Sequence, residues 1–185
     1  MKNNTALRLL FTYNSIFLFS ASLLGPLYAI YVAKIGGGIL LISISSAVFF
    51  IASTLFLIFI SRWGDKLKEQ EYMLVASYVI RAMAYFGFIF LNSALMLIIL
   101  QAVTGLADAL GTPTFSALFA KHTDRNAEVM EYSDWTLVAN LVMALGTIIG
   151  GFLVSLFGFT WLFVIMGSLC LLSAFGILIA PRKVL

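Results

Sequence analysis

The stretch QAVTGLADALGTPTFSALFAK, from Gln101 to Lys121, decides how the rest of the chain is read. It lies inside a mostly apolar run from Ala94 to Ala120, long enough to cross a bilayer with some tilt. Within it stand an amide (Gln101), a carboxylate (Asp108), two glycines (Gly105, Gly111), a proline (Pro113) and three threonines (Thr104, Thr112, Thr114). An ionisable side chain near the middle of a hydrocarbon layer costs roughly 3 kcal/mol on the gentlest scale, so such residues face a protein interior or a watery path. The segment reads as a helix built to line something.

Composition agrees with a membrane setting. Of 185 residues, 62% are hydrophobic and only 10% charged, whereas a soluble domain carries about 25% charged residues. The net charge of +3 reflects topology rather than a nucleic-acid partner. Cys170 is the single cysteine, so an intrachain disulfide is impossible and neither a metal cluster nor another cofactor is expected. The basic start, Lys2 and Arg8, followed by an apolar stretch and then further spans, reads as a first transmembrane helix rather than a cleaved leader.

Working outward, six spans are expected: Leu7–Val32, Leu40–Ile60, Tyr72–Leu91, Ala94–Ala120, Trp135–Leu156 and Trp161–Ala180. The connections alternate. Gly36–Gly38, Asn92–Ser93 and Gly158–Phe159 are short, whereas Ser61–Glu71 and Lys121–Asp134 are longer and hold most of the charge. Nine lysines and arginines fall on the termini and the two long loops, one (Lys34) on a short connection, and one (Arg81) inside the third span. The positive-inside bias predicts both termini in the cytoplasm, with the protein in the cell (inner or cytoplasmic) membrane. The acids of the long loops read as a solvated face, and His122 as a residue closing a helix C-terminus. No Ser/His/Asp set, carboxylate pair or phosphate-cradling loop is spaced for catalysis, so no enzyme is expected.

An internal repeat is visible. Pro26-Leu27-Tyr28-Ala29, ending in Ala33-Lys34, parallels Pro113-Thr114-Phe115-Ser116, ending in Ala120-Lys121. Ser61-Arg62-Trp63-Gly64 parallels Ser155-Leu156-Phe157-Gly158. Three spans is an odd number, so two such copies, residues 1–91 and 92–185, must sit upside down to one another. Inverted repeats of this kind mark secondary transporters, with the site near the midplane. The expected fold is therefore all-α, one transmembrane domain over residues 1–185, built as a 3+3 inverted repeat.

The loops and spans resemble the N-terminal six-helix half of the major facilitator superfamily from end to end. The family signature Gly-x-x-x-Asp-(Arg/Lys)-x-Gly is similar to Ser61-Arg62-Trp63-Gly64-Asp65-Lys66-Leu67-Lys68, which keeps Asp65 and Lys66 and replaces both glycines. The resemblance implies that Asp65 and Lys66 form a cytoplasmic latch. The fourth span resembles Arg-x-x-x-Gly-x-Gly-x-Ala, with Gln101 in place of arginine and Gly105 kept. The fifth resembles the Gly-Pro-x-x-Gly-Gly pattern of proton-coupled exporters. Gly146, Gly150 and Gly151 are present there without the proline, and close helix packing accounts for them equally.

Family members carry two such halves. Here the basic finish after Ala180, with no linker begun, is expected of a complete small protein, so the second wall would come from a parallel copy of the same chain. The resemblance makes helices one and four the cavity walls. Candidate substrate-binding residues are Tyr13, Asn14, Tyr28, Gln101, Thr104, Asp108, Thr112 and Asn140, with Trp135, Ser43, Ser45 and Ser46 weaker. Some of the hydroxyls are expected to bond their own helix backbone instead. Pro26 and Pro113 are candidate kinks. Asp108 is a candidate proton site, since leaving water favours the neutral form of a carboxyl group, or alternatively the partner of Arg81 in a charge pair. Hydroxyls, amides and rings with few charges suit a small neutral solute such as a sugar. The expected function is alternating-access transport by a homodimer in the lipid bilayer. The rivals are a proton-coupled multidrug exporter and a non-transporting membrane scaffold.

Overall fold

The computed structural model describes residues 5–64, 69–124 and 126–180, and side-chain placement for all of these but Trp63. Six α-helices account for the fold among the described residues: α1 (Thr5–Leu24), α2 (Leu27–Lys34), α3 (Ile39–Trp63), α4 (Glu71–Ile89), α5 (Ala94–His122) and α6 (Glu128–Ile179). Five of them are long and apolar enough to cross a membrane.

These helices do not map one to one onto the six expected spans. The first span is divided: α1 stops at Leu24, Gly25 and Pro26 form a turn, and α2 resumes at Leu27. Proline lacks the N–H that would continue the ladder, and Gly25 ahead of it offers no resistance to the bend. Conversely, the last two spans are joined in α6. Its 52 residues extend about 78 Å at 1.5 Å per residue, more than twice a hydrocarbon core of about 30 Å. The chain reverses at Gly158, where φ is 79° and ψ 178°, a backbone open to glycine and strained for other residues. The six crossings are thus α1 with α2, α3, α4, α5, and α6 before and after Gly158.

The start of α6 also differs from expectation, lying seven residues before Trp135. Glu128 and Glu131 occupy its first turn, where carboxylates complement the helix dipole. Glu131 is fully buried, and its Oε2 accepts the backbone N–H of Asp124 at 3.0 Å, tying helix to loop. At the far side, Ser93 caps α5 by accepting the N–H of Met96 at 3.3 Å. Lys121 and His122 close the last turn of α5, where His122 Nδ1 donates to the Leu118 carbonyl at 2.8 Å.

Packing follows the small residues. Gly105 of α5 lies against the backbone of α3 at Phe49 and Ser53, and Gly111 against Ser77 of α4. Gly146 and Gly150 of α6 lie against Phe19, Ser22 and Leu23 of α1, while Gly151 meets nothing. Beyond Gly158, α6 packs on α4 through Gly167 and Phe86, and on α1 through Ser20, whose Oγ donates to the Met166 carbonyl at 2.8 Å. The leading span of each half thus packs on the two later spans of the other. The core they enclose is aromatic: Tyr31, Phe88, Phe159 and Phe163 near the short turns, with Tyr78, Leu74, Leu118 and Ile177 near the termini. Large apolar side chains elsewhere, such as Phe50, Leu55 and Phe59 on α3 and Leu141 and Phe152 on α6, are exposed and suited to hydrocarbon.

Candidate functional site

At the midpoint of α5, fourteen residues from either end, stands Asp108. The close approach that Gly105 permits brings α3 alongside, so Ser53 Oγ donates to Asp108 Oδ2 at 3.0 Å. One turn on, Thr112 Oγ1 donates to Asp108 Oδ1 at 3.0 Å. From α4, Arg81 Nη2 lies 3.5 Å from the same Oδ1. The guanidinium is further bracketed by the Phe17 and Phe49 rings, 5.7 and 5.9 Å from their centroids. Its Nε is buried without a hydrogen-bond partner. The pair is asymmetrically shielded, with the Arg81 side chain 12% exposed and that of Asp108 33%.

Around the pair opens a cavity of about 290 Å³ on the side of the termini. Asn14 and Tyr78 meet across it, the phenol donating to Asn14 Oδ1 at 2.6 Å, and the Tyr78 ring stacks on Phe17. Ser77, Thr112 and Ser116 add hydroxyls, and Phe115, Phe119, Tyr132 and Trp135 form an aromatic mouth. Ser116 Oγ, like Thr136 Oγ1 and Ser22 Oγ, donates to its own helix backbone. The chemistry available is hydrogen bonding to a polar solute, stacking on rings, and a compensated charge pair at the base.

The sequence-derived candidates divide. Asn14, Asp108, Thr112 and Arg81 are brought together in this cavity, with Trp135 at its rim. Tyr28, Gln101 and Thr104 line a smaller depression of about 180 Å³ on the other side of Arg81. There Tyr28 Oη bonds Ser45 Oγ at 2.6 Å, and Thr104 Oγ1 donates to Gln101 Oε1 at 3.0 Å. Two candidates lie elsewhere. The Tyr13 ring turns to α6 and rests on Gly176, and Asn140 is exposed in a separate open trough with Ser133 and Thr136. Pro26 sits at the α1–α2 turn, whereas α5 runs through Pro113 without interruption. Asp65 and Lys66 lie outside the described residues.

Sequence reasoning missed the back wall. Leu74, Ser77 and Tyr78 come from α4, the third span, which the two-wall expectation left out. The signal was present: Ser77, Tyr78, Arg81 and Tyr85 fall at helical spacing on one side of a membrane helix. No curated protein matches the chain in sequence. Residues 10–184, nearly the whole chain, match the Major Facilitator Superfamily, whose members are secondary transporters and not enzymes. An all-helical bundle with membrane-length spans around a central charge pair agrees with that match, and the chain belongs to the major facilitator superfamily, a membrane-embedded secondary transporter.

Proposed function

We propose that two parallel copies of this chain move a small neutral polar solute, such as a sugar, by alternating access across the cytoplasmic membrane. Both termini lie in the cytoplasm on this reading, in keeping with the lysine and arginine bias. The observation behind the dimer is the openness of the cavity. Asp108 at mid-span is a third exposed, and Thr112 and Ser116, one and two turns further along α5, are exposed, polar surface that is costly to leave against hydrocarbon. A second copy rotated about the membrane normal covers that face and supplies the opposite wall from its own helices.

Asn14, Thr112 and Ser77 are assigned solute contacts, Trp135 and Tyr132 stacking, and Asp108 with Arg81 the charge pair that sets coupling. Tyr28, Gln101 and Thr104 serve the opposite access route, and Asp65 with Lys66 the cytoplasmic latch. A net-neutral base favours neutral solutes, because a charged one would enter without a free counter-charge. The test is uptake by purified protein in liposomes against sugars, amino acids and cationic drugs, with light scattering on the same sample. Saturable sugar uptake by a dimer is expected. Preferential transport of cationic drugs overturns the solute class, and full-rate uptake by a monomer overturns the dimer.

A further inference from the structure

The two hollows on either side of Arg81 are ordered along three helices. On α1, Asn14 and Phe17 line the cavity and Leu24 the depression. On α4 the order is Ser77, then Tyr85; on α5, read backwards, Thr112, then Thr104. Each helix therefore passes from one hollow to the other at the same depth. Arg81 is the one described residue that lines both.

From this placement we infer that the Arg81 guanidinium is the partition between two access routes, closing the passage from the cavity to the depression and offering its free Nε to the solute that crosses. This rests on the transporter reading, though neither on the solute's identity nor on the dimer. The guanidinium is planar and held on several sides at once: by Asp108 at 3.5 Å, and by the rings of Phe17 on α1 and Phe49 on α3. A side chain anchored to α1, α3 and α5 together yields only when those helices shift relative to α4. Its Nε lacks an acceptor in a site screened from water, so a hydroxyl or carbonyl oxygen from a solute gains a hydrogen bond that the empty protein does not make.

Charge gives the partition a second consequence. Paired with Asp108, Arg81 leaves the waist without net negative charge that would draw in cations, protons included. Without Arg81, the carboxylate of Asp108 would stand alone at the waist and attract them.

The experiment introduces one probe cysteine at a time into the full chain reconstituted in oriented vesicles: Ser116→Cys, in the cavity, and Gln101→Cys, in the depression. Cys170 is fully buried and provides the unreactive blank. A membrane-impermeant methanethiosulfonate is added from each side in turn. With Arg81 present, Ser116→Cys is expected to react about tenfold faster from the side of the termini and Gln101→Cys about tenfold faster from the other, a bias of about 1.4 kcal/mol. Arg81→Ala is expected to abolish both preferences and to let protons leak through the vesicles. Combining Arg81→Ala with Asp108→Asn removes both charges. It strands neither charge, and is expected to lose side preference without the proton leak. Unchanged side preference in both variants overturns the inference. Absence of uptake of every solute alongside a preference that Arg81→Ala abolishes would instead count against the transporter reading, leaving the partition standing.

Discussion

Removing one member of the Arg81–Asp108 pair is expected to cost more from the aspartate side than from the arginine side. At an effective dielectric of about 20, unit charges 3.5 Å apart attract by about 5 kcal/mol. The Asp108 side chain is one third exposed, so water screens part of this and about 2 kcal/mol of coupling is expected to survive. Arg81→Gln leaves a carboxylate still bonded by Ser53 and Thr112, partly wetted, so the loss is expected to be about 1 kcal/mol. Asp108→Asn leaves a guanidinium 12% exposed with two ring faces and the neutral Tyr85 phenol beside it, and about 3 kcal/mol is expected. The double variant is expected to lose about 2 kcal/mol rather than the roughly 4 kcal/mol of simple addition, since it strands neither charge. Reversible unfolding in mixed micelles across the four proteins gives the cycle directly. Additivity within about 0.5 kcal/mol would refute the coupling. A larger loss for Arg81→Gln than for Asp108→Asn would refute the account of who shields whom.

Other outcomes follow from single contacts. Tyr78→Phe strands the Asn14 carbonyl in a buried site, so a loss of about 1–3 kcal/mol is expected in thermal unfolding; unchanged stability would mean that the 2.6 Å bond contributes nothing. Gly150→Ala forces a methyl group onto the Leu23 carbonyl and is expected to destabilise by about 1–3 kcal/mol. Its neighbour Gly151→Ala meets open space and is expected to stabilise by up to about 1 kcal/mol; equal effects at the two sites would undo the packing account of this glycine cluster. Asp65→Ala, between α3 and α4 in the chain, is expected to lower turnover in liposomes with affinity unchanged, and a drop in affinity alone is the wrong result for a latch.

The fold was legible because hydrophobic length and charge placement act over whole segments. A run such as Ala94–Ala120 admits no reading but a membrane helix, and the turn at Gly158 was marked by its glycine. What stayed hidden depended on rotation about helix axes. Tyr13 and Asn14 are adjacent in the chain, yet one faces Gly176 and the other Tyr78. An apolar helix buried on one side and bathed in lipid on the other gives a weak periodic signal, since both environments favour the same residues. The separation of Asn140 from the cavity was hidden for that reason. Asp108 and Arg81 were identifiable because charge in a span is costly enough to demand a partner. Ser53 was not, because its role depends on how closely Gly105 lets two backbones approach.

The reversals on the side away from the termini are very short. Residues 35–38, residues 90–93 and the single residue Gly158 do the turning there, and α6 reverses without leaving its helical ladder on either side. On the orientation proposed above, with the termini in the cytoplasm, the described residues present only short reversals to the exterior of the cell. A protease or antibody working from outside finds hardly any extended segment to grip, since cleavage needs several residues drawn out of helix. On that orientation, epitope tags, reporter fusions and labels are expected to be tolerated on the inner side and refused on the outer. In an intact cell the protein is expected to be nearly invisible to surface chemistry, although it spans the membrane six times.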